Sequence, residues 1–355
     1  MTPLHLLVTA LVRLLGLPLF VRGLESEATG KPRVDEGARS GWWAGNFLRE
    51  GFEECICLVN PWVRFSLDPF LPPLAVKSFL LFLVFPCLSL LATAADPLVL
   101  WPTGAPGALG TAAKDVPTLT PYFPEKANGA AMLLIPGGSY SGIYEGQAEP
   151  FALWLNEQGI TVYVLRYRLG SAGYRYPAQL QDAVEAMRQI RGAAGERKID
   201  ANRIGAMGFS AGGHLVSTLI NRPEDGEIAG RPSPISPRPD LAILCYPVIS
   251  MLTQPHVTSR DRLLGENPGE ELLRRTSSEL QVHPGLPPCF LWHTQEDKLV
   301  PVGHAELYAA ALRQNGIPHE FHLYEDGDHG TGLIGTEHPW LADLLFWLKG
   351  RKFLP

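Results

Sequence analysis

The stretch Ile204-Gly205-Ala206-Met207-Gly208-Phe209-Ser210-Ala211-Gly212-Gly213-His214-Leu215 constrains this chain more than any other. An apolar run enters Gly208-Phe209-Ser210-Ala211-Gly212, and a helix-forming segment leaves it. This is the strand–turn–helix pattern of a nucleophile elbow, which presents a serine hydroxyl above the end of a sheet. Glycines are needed on either side because side chains there would collide with the neighbouring strand and helix. The same letters also arise where a serine merely caps a helix. Partners elsewhere in the chain must decide between the two.

A serine hydroxyl is a poor nucleophile near neutral pH, so it needs a base, and the base needs an orienting acid. In an open parallel sheet such groups gather in loops beyond the carboxyl ends of the strands. After an elbow of this kind the expected chain order is serine, acid, histidine. Asp297 lies in the loop that follows an apolar run at 288–292, with Glu296 as its rival. His329 lies in Gly327-Asp328-His329-Gly330, the loop after a strand-like run at 319–324, and is the expected base. His319 and His322 fall inside that strand, His214 one turn into the elbow helix, and His293 ahead of the acid. These four read as structural or surface histidines. An oxyanion needs backbone N–H donors, one from the residue after the nucleophile and one from a loop after an earlier strand. Ala211 is the first, and Gly138 or Ser139 in Pro136-Gly137-Gly138-Ser139-Tyr140 the second. Tyr140 would then line the substrate site.

The surrounding chain alternates. Continuous apolar runs at 130–135, 160–165, 203–209 and 241–246 read as strands covered on both faces. Segments at 148–158, from 177 onward, and at 211–220, 303–313 and 340–348 read as helices. Alternating strands and helices imply right-handed βαβ units. The fold class is therefore α/β, a mainly parallel central sheet with helices on both faces, in one domain over residues 96–355. Pro121 confines the strand at 118–123 to an edge or an irregular end. The Pro/Gly-rich run from Leu100 to Ala108 reads as an extended surface lead-in. Residues 249–286 are polar and Pro-broken, with one short helical stretch near 270–275. Arg168 and Asp182 are salt-bridge candidates.

Ahead of this body, Lys77, an apolar core from Phe79 to Leu91, and Ala92-Thr93-Ala94 form the pattern of a secretory signal peptide over 76–95. Such a peptide belongs at an N-terminus, and the chain has no methionine between Met1 and Met132. Residues 1–75 are therefore expected to be a mis-called or disordered extension. The alternative is a genuine N-terminal region with a membrane anchor at 79–95, which is short for a hydrocarbon core of about 30 Å. The expected destination is secreted or periplasmic, with no stable membrane anchor after cleavage.

The net charge of −6, with no Lys/Arg-rich stripe, argues against nucleic acid as a partner. No Gly-x-Gly-x-x-Gly after a first strand, no Walker A motif and no His-Glu-x-x-His motif occurs, so no cofactor is expected. The five cysteines have no metal-binding spacing, and Cys245 and Cys289 read as buried free thiols.

Taken together these motifs resemble the α/β-hydrolase superfamily, and within it the secreted bacterial esterases related to acetyl xylan esterases. The resemblance runs over about residues 98–350. It rests on Leu100-Trp101-Pro102-x-Gly104-x-Pro106-Gly107-Ala108, Pro136-Gly137-Gly138-Ser139-Tyr140, Tyr167-Arg168-Leu169-Gly170 and Tyr176-Pro177-Ala178-x-Leu180-x-Asp182-Ala183. The elbow through Leu215, Glu296-Asp297-x-x-Val300-Pro301 and the His329 loop complete it. It implies hydrolysis of a carboxylic ester, often an acetyl group on a plant polysaccharide or oligosaccharide. One departure is Pro136, where many esterases have His before Gly-Gly. A serine peptidase of the prolyl-oligopeptidase-like type is the nearest alternative, though no propeller-length repeat precedes the domain. A non-catalytic binding module on the same fold would need none of the three triad residues.

Overall fold

The computed structural model describes residues 96–355; the expected extension at 1–75 and signal peptide at 76–95 lie outside the described residues. Eight strands form one sheet: β1 (Leu98–Val99), β2 (Thr118–Tyr122), β3 (Ala131–Ile135), β4 (Thr161–Arg166), β5 (Ile204–Phe209), β6 (Ala242–Cys245), β7 (Cys289–Thr294) and β8 (His319–Tyr324). The helices are α1 (Glu149–Glu157), α2 (Ala178–Gly192), α3 (Ala211–Asn221), α4 (Val257–Leu264), α5 (Glu270–Thr276), α6 (Gly303–Gln314) and α7 (Trp340–Gly350). None of the helices among the described residues is long and apolar enough to cross a membrane.

The strand order is β1-β2-β4-β3-β5-β6-β7-β8, with β1–β2 and β2–β4 antiparallel and the other pairs parallel. The continuous apolar runs follow from two covered faces. Ala131, Leu133 and Ile135 of β3 join a core packed by α2, α3 and α6, while Met132 and Leu134 join a second core with α1 and α7. Successive side chains leave opposite faces of a strand, so a strand inside such a sandwich has no polar position to spare. Each fully buried Leu there contributes about 1.5–3 kcal/mol of transfer free energy.

The connections leave β3 and β5 in opposite directions. From β3 the chain crosses by α1 to β4 on one side, and from β5 by α3 to β6 on the other. Such a reversal opens a crevice at the carboxyl ends of the two central strands. Ile135 pairs with Gly208, which sets the loop at 136–140 directly beside Ser210.

Two expectations about the outer segments need correction. Strand β2 is an edge only in part: the two-residue β1 covers Thr118 and Leu119, while Pro121 lies beyond it, opposite Tyr163 in the antiparallel pair with β4, where its missing N–H costs no ladder bond on the open side. The lead-in is not purely a surface segment either. Leu100 and Trp101 are buried, and the Trp101 indole donates to Asp182 Oδ1 at 2.8 Å. That carboxylate also takes Arg168 Nη2 at 2.9 Å, with both side chains fully buried, and Arg168 Nη1 donates to Pro106 O. The expected Arg168–Asp182 pair is thus the peg that pins the lead-in against α2 and the exit of β4.

The segment at 249–286 carries a second helix that its polar sequence hid. Its α4 begins at His256, whose Nδ1 accepts from Ser259 N–H at 3.3 Å. Histidine is not among the usual N-cap signals, so nothing marks the start. Two buried imidazoles tie this segment to the body. His304 of α6 accepts the Ile249 and Ser250 amides on Nδ1 at 2.9 and 3.1 Å and donates from Nε2 to Gln254 O at 3.0 Å. His214 of α3 donates from Nε2 to Thr276 O at 2.7 Å. Burial lowers both from 6.5 to about 4, against the pull of those carbonyls.

Replacing Asp182 by Asn leaves Arg168 buried without its counter-charge, and such a change costs about 3–5 kcal/mol. A thermal melt of Asp182→Asn should therefore show a large drop in Tm, and an unchanged Tm would contradict the peg. The two neutral histidines give a pH signature. Below 6.5 the unfolded chain takes protons that the folded chain refuses until about pH 4. Stability is thus complete above pH 6.5 and is lost as pH falls towards 4, by on the order of 3 kcal/mol per histidine. Urea unfolding across this window should show that decline, with a shallower one in the double variant His214→Gln, His304→Gln.

Candidate active site

Ser210 follows β5 at φ +51° and ψ −119°, a backbone conformation rare for a side-chain-bearing residue. It is held by three backbone hydrogen bonds: its N–H donates to Cys245 O at 3.0 Å, and its carbonyl accepts Val248 N–H at 3.0 Å and His214 N–H at 3.1 Å. Helix α3 then runs so close to β3 that a Cβ on Gly212 would lie 2.1 Å from Ile135 O. The glycine is a steric requirement, and the close approach carries the Ala211 amide up to the loop after β3.

His329 reaches Ser210 from the far side of the sheet. Strands β5 and β8 are three places apart, roughly 14 Å at ordinary strand spacing. The loop after Tyr324 runs back over that distance, turning at Gly327 (φ +127°) and Gly330 (φ +84°). It places His329 Nε2 at 2.9 Å from Ser210 Oγ and Nδ1 at 2.6 Å from Asp297 Oδ2. Since the carboxylate only accepts, Nδ1 carries the proton and Nε2 faces the serine hydroxyl as acceptor.

Asp297 is the most heavily solvated group of the site, and its solvent is protein. Its Oδ1 accepts the Leu299 and Val300 amides, each at 2.9 Å. Its Oδ2 accepts both His329 Nδ1–H and His293 Nε2–H, the latter at 3.1 Å. Burial opposes the charge, but the donors from His293, His329 and Val300 outweigh it and hold the carboxyl below the ordinary carboxylate range. Glu296, the rival, is exposed and reaches only Gly327 N–H at 3.4 Å.

The loop after β3 is built to present amides. Gly138 has φ +126°, and a Cβ there would lie 2.3 Å from Gly142 O. Ser139 and Tyr140 follow with φ +57° and +56°. The carbonyls of Gly137 and Gly138 are taken up within the loop by Tyr144, Ser141 and Gly142. The amides of Gly138, Ser139 and Ala211 have no acceptor among the described residues. They are the uncommitted donors of the residue after Ser210 and of the loop that flanks it.

Tyr140 departs from expectation. It is fully buried rather than lining the substrate site, because its hydroxyl donates to His214 Nδ1 at 2.7 Å and its ring packs against Tyr167. The other expected histidines stay out of the line through Ser210: His319 and His322 sit in β8, and His214 is a buried tether. His293 differs from a plain core histidine through its bond to Asp297. Two further groups join the site. Tyr246 is the first residue after β6 and packs edge-on against His329 at 5.0 Å between ring centres. Gln147 bonds both Gly137 N–H and Tyr246 Oη. Tyr246 was discoverable from its place at a strand end, whereas Gln147 lies in a single turn with no periodic signal. Cys245 and Cys289 are buried free thiols, and no group of three or more His, Cys, Asp and Glu side chains suited to a metal occurs among the described residues.

The BD-FAE family model matches residues 120–312, more than half of the chain, from β2 through the end of the Asp297 loop into α6. An acetylxylan esterase of Xylanibacter ruminicola is 36% identical over 241 residues, covering 64% of this chain and 47% of that protein. Endo-1,4-beta-xylanase B of Butyrivibrio fibrisolvens is 37% identical over 216 residues, 58% of this chain and 33% of that protein. The chain thus spans between a third and a half of the length of these two relatives. Among solved structures, an acetyl ester-xyloside bifunctional hydrolase from Caldicellulosiruptor lactoaceticus aligns with a TM-score of 0.67 at 38% identity, covering 75% of this chain and 99% of that one. A thermophilic esterase from Thermogutta terrifontis aligns with a TM-score of 0.61 at 25% identity, covering 73% and 93%. The resemblance read from the motifs is borne out: the chain belongs to the BD-FAE family, an α/β-hydrolase domain of the kind found in carboxylic ester hydrolases.

Proposed function

We propose that this protein is a serine esterase that removes acetyl groups from plant polysaccharide or oligosaccharide esters. The observation that carries the chemistry is the single hydrogen-bonded line Ser210 Oγ–His329–Asp297 beside three uncommitted amides. In this reading His329 Nε2 takes the Ser210 proton as Oγ attacks the ester carbonyl. Asp297 keeps the imidazole in the required tautomer and stabilises its charged form. The oxyanion is received by Ala211 N–H together with Gly138 or Ser139 N–H. The proton on His329 then passes to the leaving alcohol oxygen, and the acetyl group stays on Ser210. Water, deprotonated by the same nitrogen, releases acetate and restores the serine.

The choice of an acetylated carbohydrate rests on likeness to an acetylxylan esterase, at 36% identity, and to the acetyl ester-xyloside hydrolase, at 38%. Export of the enzyme through the leader-like stretch at 76–95 would place it where polysaccharide substrates occur. A half-exposed Tyr144 just beyond the oxyanion loop offers an aromatic face of the kind sugars use.

Ser210→Ala should lower kcat on p-nitrophenyl acetate by on the order of 10⁴- to 10⁶-fold with the melting curve unchanged. Asp297→Asn, which inverts the imidazole's hydrogen-bond preference, should cost about 10⁴-fold. Near-full activity in Ser210→Ala would sink the chemistry. On the substrate side, a panel of acetylated xylan, acetylated xylo-oligosaccharides, longer acyl esters and an aminoacyl amide should show the acetylated saccharides turned over fastest. Preference for the amide would turn the reading towards a peptidase.

A further inference from the structure

Gln147 lies outside the Ser210–His329–Asp297 line, is only 4% exposed, and has both ends of its amide committed. Its Oε1 accepts Gly137 N–H at 2.8 Å, and its Nε2 donates to Tyr246 Oη at 2.8 Å. At the first end stands the backbone that supports the oxyanion donors. Gly137 immediately precedes Gly138 and Ser139, and a Cβ on it would lie 2.8 Å from Phe209 O and 3.0 Å from Ser210 Cβ. A small rotation of that peptide therefore moves the amides that follow it in the loop flanking Ser210. At the second end stands the wall behind the base. Tyr246 sits at φ +36°, is anchored by its N–H to Trp292 O at 2.8 Å, and meets the His329 ring edge-on at an interplanar angle of 75°.

We propose that Gln147 is a positioning residue for ester hydrolysis, through a bridge Gly137–Gln147–Tyr246 that fixes the oxyanion donors and the His329 imidazole relative to each other. The inference rests on the reading of Ser210 as nucleophile. Gln147 touches none of the reacting atoms; it joins the group that receives negative charge to the group that receives the proton. These two arrive on different strands, β3 and β8, with β5, β6 and β7 between them. The bridge spans them by a route the sheet itself does not provide. An amide suits the place because one end must accept from a backbone N–H while the other donates to a hydroxyl. A displacement of about 1 Å at either end is enough to cost roughly 10²-fold in rate.

Gln147→Leu removes both bonds, Gln147→Glu keeps an acceptor for Gly137 and a partner for a reversed Tyr246 hydroxyl, and Tyr246→Phe keeps the ring while deleting the hydroxyl. With p-nitrophenyl acetate, Gln147→Leu should lose about 10²-fold in kcat with little change in KM. Inhibition by a trifluoromethyl ketone, which forms an oxyanion on the serine, should weaken by the same factor. Gln147→Glu should recover most of the lost kcat, and Tyr246→Phe should lose about tenfold. The bridge is overturned if Gln147→Leu keeps more than about half of the wild-type kcat, or if Leu and Glu at this position lose equally. Should Gln147→Leu fail to fold, wild-type kcat in Tyr246→Phe overturns it instead. An inactive Ser210→Ala alongside a fully active Gln147→Leu defeats the bridge alone, whereas an active Ser210→Ala defeats the reading beneath it.

Discussion

The backbone of Ser210 is the constraint on which the rest of the site depends. Holding a serine at φ +51° and ψ −119° costs of order 1–3 kcal/mol. The surroundings must over-determine that conformation. They do so with hydrogen bonds from three directions, at Cys245, Val248 and His214, and with the steric fit of Gly212 against Ile135 O. Relaxing the elbow would break the β5–β6 junction and push α3 off β3 together. The strain is thus locked by the same contacts that build the centre of the sheet. That coupling is why a reactive side chain can stand at a strand end without a flexible loop to carry it.

Around this fixed point, environment assigns different jobs to histidines that look alike in sequence. His329 has one nitrogen on a carboxylate and the other on a hydroxyl, so it stands between proton donor and acceptor. His214 and His304 are enclosed with carbonyl partners on Nε2 and incoming O–H or N–H donors on Nδ1, which fixes them as neutral tethers. His293 contributes its Nε2–H to Asp297 and to Val300 O. Charge is concentrated on one group, Asp297, which four donors saturate. Burying that carboxylate would be prohibitive with fewer partners, and its full set leaves no lone pair free to draw His329 out of line.

What could be read from the sequence follows the range of the interaction that fixes it. Strands β3 to β7 announce themselves because their apolar runs reflect burial on both faces, and the serine, acid and histidine stand after β5, β7 and β8 in a fixed order. Gly138 is visible because its steric cause is local, at Gly142 O, and Gly212 because it belongs to the short spacing of the elbow, although the atom it clears is Ile135 O on strand β3. Trp101 was not placed, since a Pro/Gly-rich run says nothing of an indole that meets Asp182 eighty-one residues later. Helix α4 has no sequence mark because a histidine caps it, and the two-residue β1 that covers the start of β2 is too short to leave a pattern. The neighbours of Tyr140 in sequence point it to the substrate side. Its direction is decided by His214, seventy-four residues away.

Tyr140 also shows how the chemistry and the pocket wall are joined. Its backbone continues the loop of the oxyanion amides, with Ser139 and Tyr140 both in the left-handed region. Its hydroxyl bonds His214, whose other nitrogen holds Thr276 at the end of α5. Its carbonyl accepts Gly170 N–H at 2.8 Å, after β4. The segment at 249–286 therefore does not simply rest on the sheet. It is bonded, through one neutral imidazole, to the loop that follows β3 and flanks Ser210. A change that takes Thr276 O out of reach of His214 loosens the imidazole that the Tyr140 hydroxyl bonds, and with it one of the contacts that hold the loop after β3. One buried tyrosine thus joins the loop beside Ser210, the exit of β4 and, through His214, the segment at 249–286.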